Sequence, residues 1–132
     1  LYLCENGEAV EGYAVSLGSG GVNKRVEGDN KTPIGVYPLG EPRLSNQFYI
    51  FIPVGYPTVA EKKQGYTGGD IGIHGPKRNF EKYGMVNLLL NWTRGCIAVA
   101  YDESILEIAN WIKIQKKYLS QNKKQLLVHI EK

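Results

Sequence analysis

Thr93-Arg94-Gly95-Cys96-Ile97-Ala98-Val99-Ala100-Tyr101-Asp102 is the stretch that decides the fold. Cys96 to Tyr101 is the longest unbroken apolar run, six residues, enough for one buried strand and far short of the ~20 a bilayer-crossing helix needs. After it, Asp102 is a candidate N-cap, and Ile105, Ile108, Ala109 and Ile112 recur at helical spacing. That pattern predicts one amphipathic helix, running to about Tyr118 and packed on a sheet. Before it, Gly95 lets the backbone bend where a Cβ would clash. Cys96 is then either the first residue of a buried strand, as free cysteine commonly is, or a nucleophile presented at a turn.

Outward from this stretch the signals are those of short strands. Leu1 to Cys4 and Ala9 to Leu17 flank Asn6-Gly7, a tight-turn pair, and predict an opening hairpin. Gly18 to Asn30 is Gly-rich and charged and predicts a mobile loop. Pro33 and Pro38 limit any strand between them. Phe48 to Ile52 is apolar on both faces and predicts a buried central strand ended by Pro53. Asp70 to His74 predicts a short strand that Gly75-Pro76 terminates. Residues 77–92 carry apolar side chains without a clean period and predict a structured loop or lid. Gln125 to Glu131 alternates, with Leu126, Val128 and Ile130 inward, and predicts a closing strand. The expectation is one mainly β domain over residues 1–132.

The 16 Lys and Arg exceed the 13 Asp and Glu by three, a mild excess spread along the chain. That argues against nucleic acid as a partner, and the cluster from Lys113 to Lys124 reads as solvated charge at a helix end. The chain starts at Leu1 without an initiator Met and is expected to be a processed piece, its export signal removed. No CxxC or HxxxH spacing is present, so neither a metal nor a cofactor is expected. A bridge between Cys4 and Cys96 would be incompatible with a catalytic thiol at Cys96.

A cysteine nucleophile needs a base, an exposed turn and N–H groups for the oxyanion. The chain has two histidines. His129 falls on the outward face of the last strand, whereas His74 ends a strand at a sharp exit, where catalytic groups are commonly carried. His74 is therefore the candidate base. For its Nδ1, a backbone carbonyl at Gly75 is favoured over Asp70, four residues back on the same strand face. The N–H groups of Gly95 and Cys96 are the candidate oxyanion donors, and Arg94 is expected to favour thiolate. Candidate substrate contacts are Trp92, Thr93, Arg94 and Tyr56. Tyr56, Tyr66, Tyr83 and Trp92 either line a groove or pack without any ligand.

Ile71-Gly72-Ile73-His74-Gly75, followed by Thr93-Arg94-Gly95-Cys96-Ile97, resembles the two halves of the signature of L,D-transpeptidase catalytic domains, the YkuD-like enzymes of bacterial cell walls. Val15-Ser16-Leu17-Gly18 and Thr32-Pro33-Ile34-Gly35 resemble two earlier family blocks, in the expected order, so the likeness runs from about Tyr13 to Asp102. It implies a mainly β, sandwich or barrel-like sheet with a helix near the C-terminus and a lid. It further implies that Cys96 attacks the third-residue carbonyl of a peptidoglycan tetrapeptide stem, that the terminal D-Ala leaves, and that His74 shuttles the proton. The acyl group then passes to an amine or, in an L,D-carboxypeptidase, to water. A wall-binding module with a dead site is the rival from another class. The resemblance also implies stem peptides as donor and acceptor, carbapenem β-lactams as covalent inhibitors, a role in cell-wall biogenesis and cell shape, and a periplasmic or cell-envelope location. Three departures stand out: Arg94 where many members have His, Ala98 where Arg or Asn is common, and a long interval of eighteen residues from Gly75 to Trp92, which implies an enlarged lid.

Overall fold

Asn6 and Gly7 both adopt positive φ, 51° and 79°, and turn β1 (Tyr2–Glu5) onto β2 (Glu8–Gly12) as an antiparallel hairpin in a computed structural model that describes residues 1–132. The strand expected over Ala9–Leu17 is two strands. β2 stops at Gly12, and β3 (Val15–Ser16) leaves the hairpin for the main sheet. Tyr13 spans the break, its N–H donating to Leu1 O at 2.7 Å and its hydroxyl to Glu107 at 2.8 Å.

The main sheet adds β5 (Arg43–Ser45), β6 (Tyr49–Pro53), β7 (Gly72–His74) and β8 (Ile97–Val99), in the order β3-β8-β7-β6-β5. Only β7 and β8 run parallel, so the sheet is mixed. β6 fits its sequence: Ile50, Phe51 and Ile52 are all buried, which covers both faces. A separate ribbon pairs β4 (Gly35–Pro38) with β9 (Leu127–Ile130), and β9 alternates as its sequence requires, Ile130 buried and His129 exposed.

Helix α2 (Asp102–Gln121) buries Ile105, Ile108, Ala109 and Ile112, the predicted stripe. These cluster with Ile50, Ile52, Ile73, Ile97 and Val99 on one face of the sheet, forming the core. The N-cap is Tyr101, not Asp102, and Asp102 gives its carboxylate to Arg78 instead. A short helix α1 (Val59–Lys63) was not anticipated, although Thr58 and Glu61 form a capping box whose spacing is visible in the sequence.

Residues 18–30, expected to be mobile, are tied down. Gly18 N–H donates to Thr32 Oγ1 at 2.9 Å, Gly20 N–H to Asn30 O at 2.8 Å, and Lys24 is buried against Asp29.

Candidate active site

Phe51, His74, Ala98 and Ser16 form a single row across four strands, on the sheet face turned away from α2. Gly72 and Cys96 extend that face, because side chains two residues apart along a strand point the same way. Cys96 immediately precedes β8, beside Gly72, and stands diagonally from His74.

His74 is 1% exposed and its ring is enclosed by aromatics: Phe48 stacks at 3.7 Å between centroids, Trp92 lies at 5.8 Å and Phe51 at 6.3 Å. Nδ1 donates to Gly75 O at 2.7 Å, since a carbonyl only accepts, and Nε2 is left as the acceptor. Burial pulls the imidazole down to about 4, against the opposing effect of the Gly75 carbonyl, so the ring is neutral at ordinary pH. Asp70, the rival orienting group, lies outside β7 at φ 52° and turns its carbonyl to Cys96.

Cys96 is half-buried, and its Sγ donates to Asp70 O at 3.3 Å. Burial pushes the thiol up; the Gly72 N–H pulls it down, Asp70 pushes it up further, and Lys24 pulls it down. The group is a thiol, not a preformed thiolate. Arg94, expected to favour thiolate, is exposed, and the Lys24 charge is the smallest of these influences on the sulfur. In this state the thiol bonds Asp70 and the imidazole bonds Gly75, and neither bonds the other.

The turn before Cys96 is built by Thr93, which is 4% exposed. Its Oγ1 donates to Cys96 O at 2.7 Å and accepts from Gly95 N–H at 3.1 Å. Thr93 therefore shapes the turn and is not a surface for substrate, and the Gly95 N–H is already committed. The Cys96 N–H has no acceptor within the chain. Gly95 has φ 134°, and a Cβ there would stand 2.7 Å from Lys31 O and 2.9 Å from Ile71 Cδ1, so only glycine fits.

Tyr56 is a core residue, 5% exposed, with its hydroxyl donating to Thr67 O at 3.1 Å, and does not contact the site. Ala98 is fully buried in the row beside His74, so this strand position has no exposed face to offer a substrate. Trp92 joins the His74 ring to an open apolar cavity of about 410 Å³, lined also by Lys77, Phe80, Val86, Leu89 and Leu90. This is the predicted lid. Its 3₁₀ turns over Glu81–Leu88 break at Gly84, where a Cβ would meet the Tyr101 ring at 2.8 Å. Ser16 Oγ anchors it with hydrogen bonds to Leu90 O at 2.9 Å and Asn87 O at 3.3 Å. Arg78, bonded to Asp102 and Pro76 O, fixes the segment that follows His74.

Sequence reasoning missed Phe48, Lys24, Ser16 and the Asp70 carbonyl. Phe48 was visible only as part of a core strand, and Lys24 only as one charge in a loop. No signal marks a main-chain carbonyl. No group of three His, Cys, Asp or Glu stands close enough to hold a metal.

A histidine closing one strand and a cysteine just before its parallel neighbour, on a mixed sheet backed by one long helix, form a fold shared with solved structures. The helical cell shape determining protein Pgp2 of Campylobacter jejuni matches 99% of this chain with a TM-score of 0.71 and 28% identity, over 43% of its own length. Bd1075 of Bdellovibrio bacteriovorus shares the fold, with a TM-score of 0.55 at 23% identity over 78% of this chain and 35% of its own. YafK of Escherichia coli strain K12, whose name assigns it provisionally to the L,D-transpeptidases, is 30% identical over 86 residues, 63% of this chain and 35% of YafK. The chain thus spans less than half the length of these relatives. The YkuD family model, L,D-transpeptidase catalytic domain, matches residues 1–128, and the chain belongs to that family.

Proposed function

We propose that this chain is the catalytic part of an L,D-transpeptidase, a cysteine acyltransferase acting on peptidoglycan tetrapeptide stems. The observation that carries the reading is a neutral imidazole, oriented by its own neighbour's carbonyl at 2.7 Å, on the same sheet face as a thiol at a glycine-dependent turn. Membership of the YkuD family supports peptidoglycan as the substrate class.

Because both partners rest uncharged, the thiol gives its proton to His74 Nε2 as Sγ attacks the carbonyl of the stem's third residue. The oxyanion forms beside the unengaged Cys96 N–H. Collapse of the tetrahedral species breaks the amide bond, and the proton returns from His74 to the departing D-Ala amine. An acceptor amine then attacks the thioester and gives a proton to His74; the C–S bond breaks, Sγ takes that proton back as thiol, and the new amide is the cross-link. Trp92 and the lid cavity adjoin the base and would shield the thioester from water. A family member of this kind works in the cell envelope, and no helix here is long and apolar enough to cross a membrane.

Incubation with tetrapeptide muropeptides, followed by mass analysis, tests this. The expected products are 3→3 dimers and free D-Ala. Tripeptide monomers alone would replace the transpeptidase with an L,D-carboxypeptidase. Unchanged tetrapeptide, together with no Cys96-dependent adduct from a carbapenem, would leave only a wall-binding module.

A further inference from the structure

Lys24 is 4% exposed, the one lysine or arginine among the buried residues. Its ammonium donates to Asp29 Oδ1 at 2.9 Å and to Val26 O at 3.1 Å, which uses two of its three donors. Burying a cation this deeply is costly unless it is paired, and an ordinary loop has no need of it.

The pair touches the nucleophile's surroundings from two sides. Asp29 Oδ1 also accepts from Lys31 N–H at 3.1 Å, and Lys31 O is the atom that a Cβ on Gly95 would meet at 2.7 Å. The Lys24–Asp29 pair thereby backs the turn that presents Cys96. On the other side, the Lys24 side chain lies against Gly68, where a Cβ would stand 3.1 Å from Cε and 3.5 Å from Nζ. Gly68 opens the turn that delivers Asp70 O and the Gly72 N–H, the two main-chain groups that act on Sγ. A neighbouring hydrogen bond, Glu27 N–H to Thr67 Oγ1 at 2.9 Å, ties the two loops together.

We propose that Lys24, fixed by Asp29, is a positioning residue for Cys96: it holds both turns around the sulfur and supplies the buried positive charge that favours the thiolate as it forms. Burial pushes the Cys96 thiol up; the Gly72 N–H held by the same turn opposes that shift most, and the Lys24 charge adds a smaller pull in the same direction. Asp29, despite its own burial, is held well below the usual carboxylate range by Lys24 and by the N–H groups of Arg25, Val26 and Lys31, so the pair stays ionised. The proposal rests on the reading of Cys96 as nucleophile.

The test is the pH profile of Cys96 alkylation by iodoacetamide, followed by intact mass in a Cys4→Ser background that leaves one thiol. Lys24→Met is expected to move the midpoint up by about one pH unit, slowing alkylation about tenfold on the rising limb, with Lys24→Arg restoring it. Lys24→Gln keeps a hydrogen bond to Asp29 without the charge, and shows the same shift if the Met variant does not fold. Superimposable profiles for folded Lys24→Gln and the parent overturn the proposal. D-Ala release separates this from the parent reading. A Lys24-dependent profile in a protein that releases no D-Ala sinks the assigned reaction alone, and an unmoved profile with D-Ala released sinks the Lys24 proposal alone.

Discussion

The cradle of Cys96, residues 70–74 and 93–99, and the lid over residues 77–92 lie side by side and are built on opposite principles. In the cradle, Ile71, Ile73, Ile97, Ala98 and Val99 are buried, and Thr93 and Asp70 engage their polar neighbours. In the lid, Leu89 and Leu90 are each 77% exposed and Val86 61% exposed. The cradle spends its apolar groups on core packing. The lid keeps them on the surface beside Trp92, against the usual direction of the hydrophobic effect, and Ser16 is the row residue that anchors it. Chemistry that needs atoms held within fractions of an ångström sits on the packed region, and apolar surface open to a ligand sits on the other.

Four outcomes break or sharpen that contrast. Replacing the sulfur, Cys96→Ala, is expected to lower D-Ala release at least about a thousandfold while the fold persists, as checked by product mass and circular dichroism. Truncation separates the regions by stability: Ile73→Ala should cost about 2–5 kcal/mol in chemical denaturation, and Leu89→Ala no more than about 0.5 kcal/mol. Equal costs would erase the distinction.

The third outcome concerns pH. His74 has a folded value near 4 against 6.5 for the free side chain, so between them the unfolded chain takes a proton that the fold refuses. Stability is therefore lost as pH falls from 6.5 towards 4, by a contribution on the order of 3 kcal/mol, and His74→Gln should flatten that part of the curve. The acid limb of activity should likewise lie well below 6.5. The fourth outcome concerns Ser16→Ala, which removes the lid's anchor. A loss of about 1 kcal/mol is expected, with added proteolysis confined to 77–92.

The same contrast explains what the sequence disclosed. β6, α2 and β9 were legible because their apolar periods match what they bury. The placement of Cys96, His74 and Gly75 at strand ends was legible because glycine and a short strand mark where the chain must turn. Thr93, expected to meet substrate, proved to be an internal brace, and Tyr56 a core ring, because one side chain's type does not reveal which neighbours reach it first. Lys24 and Asp29 were hidden for a related reason. A buried ion pair inside a polar loop has the composition of a solvated one. The break at Tyr13-Ala14 depends on which partner each strand finds across the fold, a matter of tertiary pairing that alternation alone does not encode.

The account's central claim is that the stem is carried on Cys96 as a thioester. Intact-mass analysis of protein quenched during turnover of a tetrapeptide muropeptide, with peptide mapping of the adduct, tests it most directly. The account predicts an adduct equal to the stem less its terminal D-Ala, located on Cys96 and absent from Cys96→Ala. Release of D-Ala by the Cys96→Ala protein at the parent rate would contradict it.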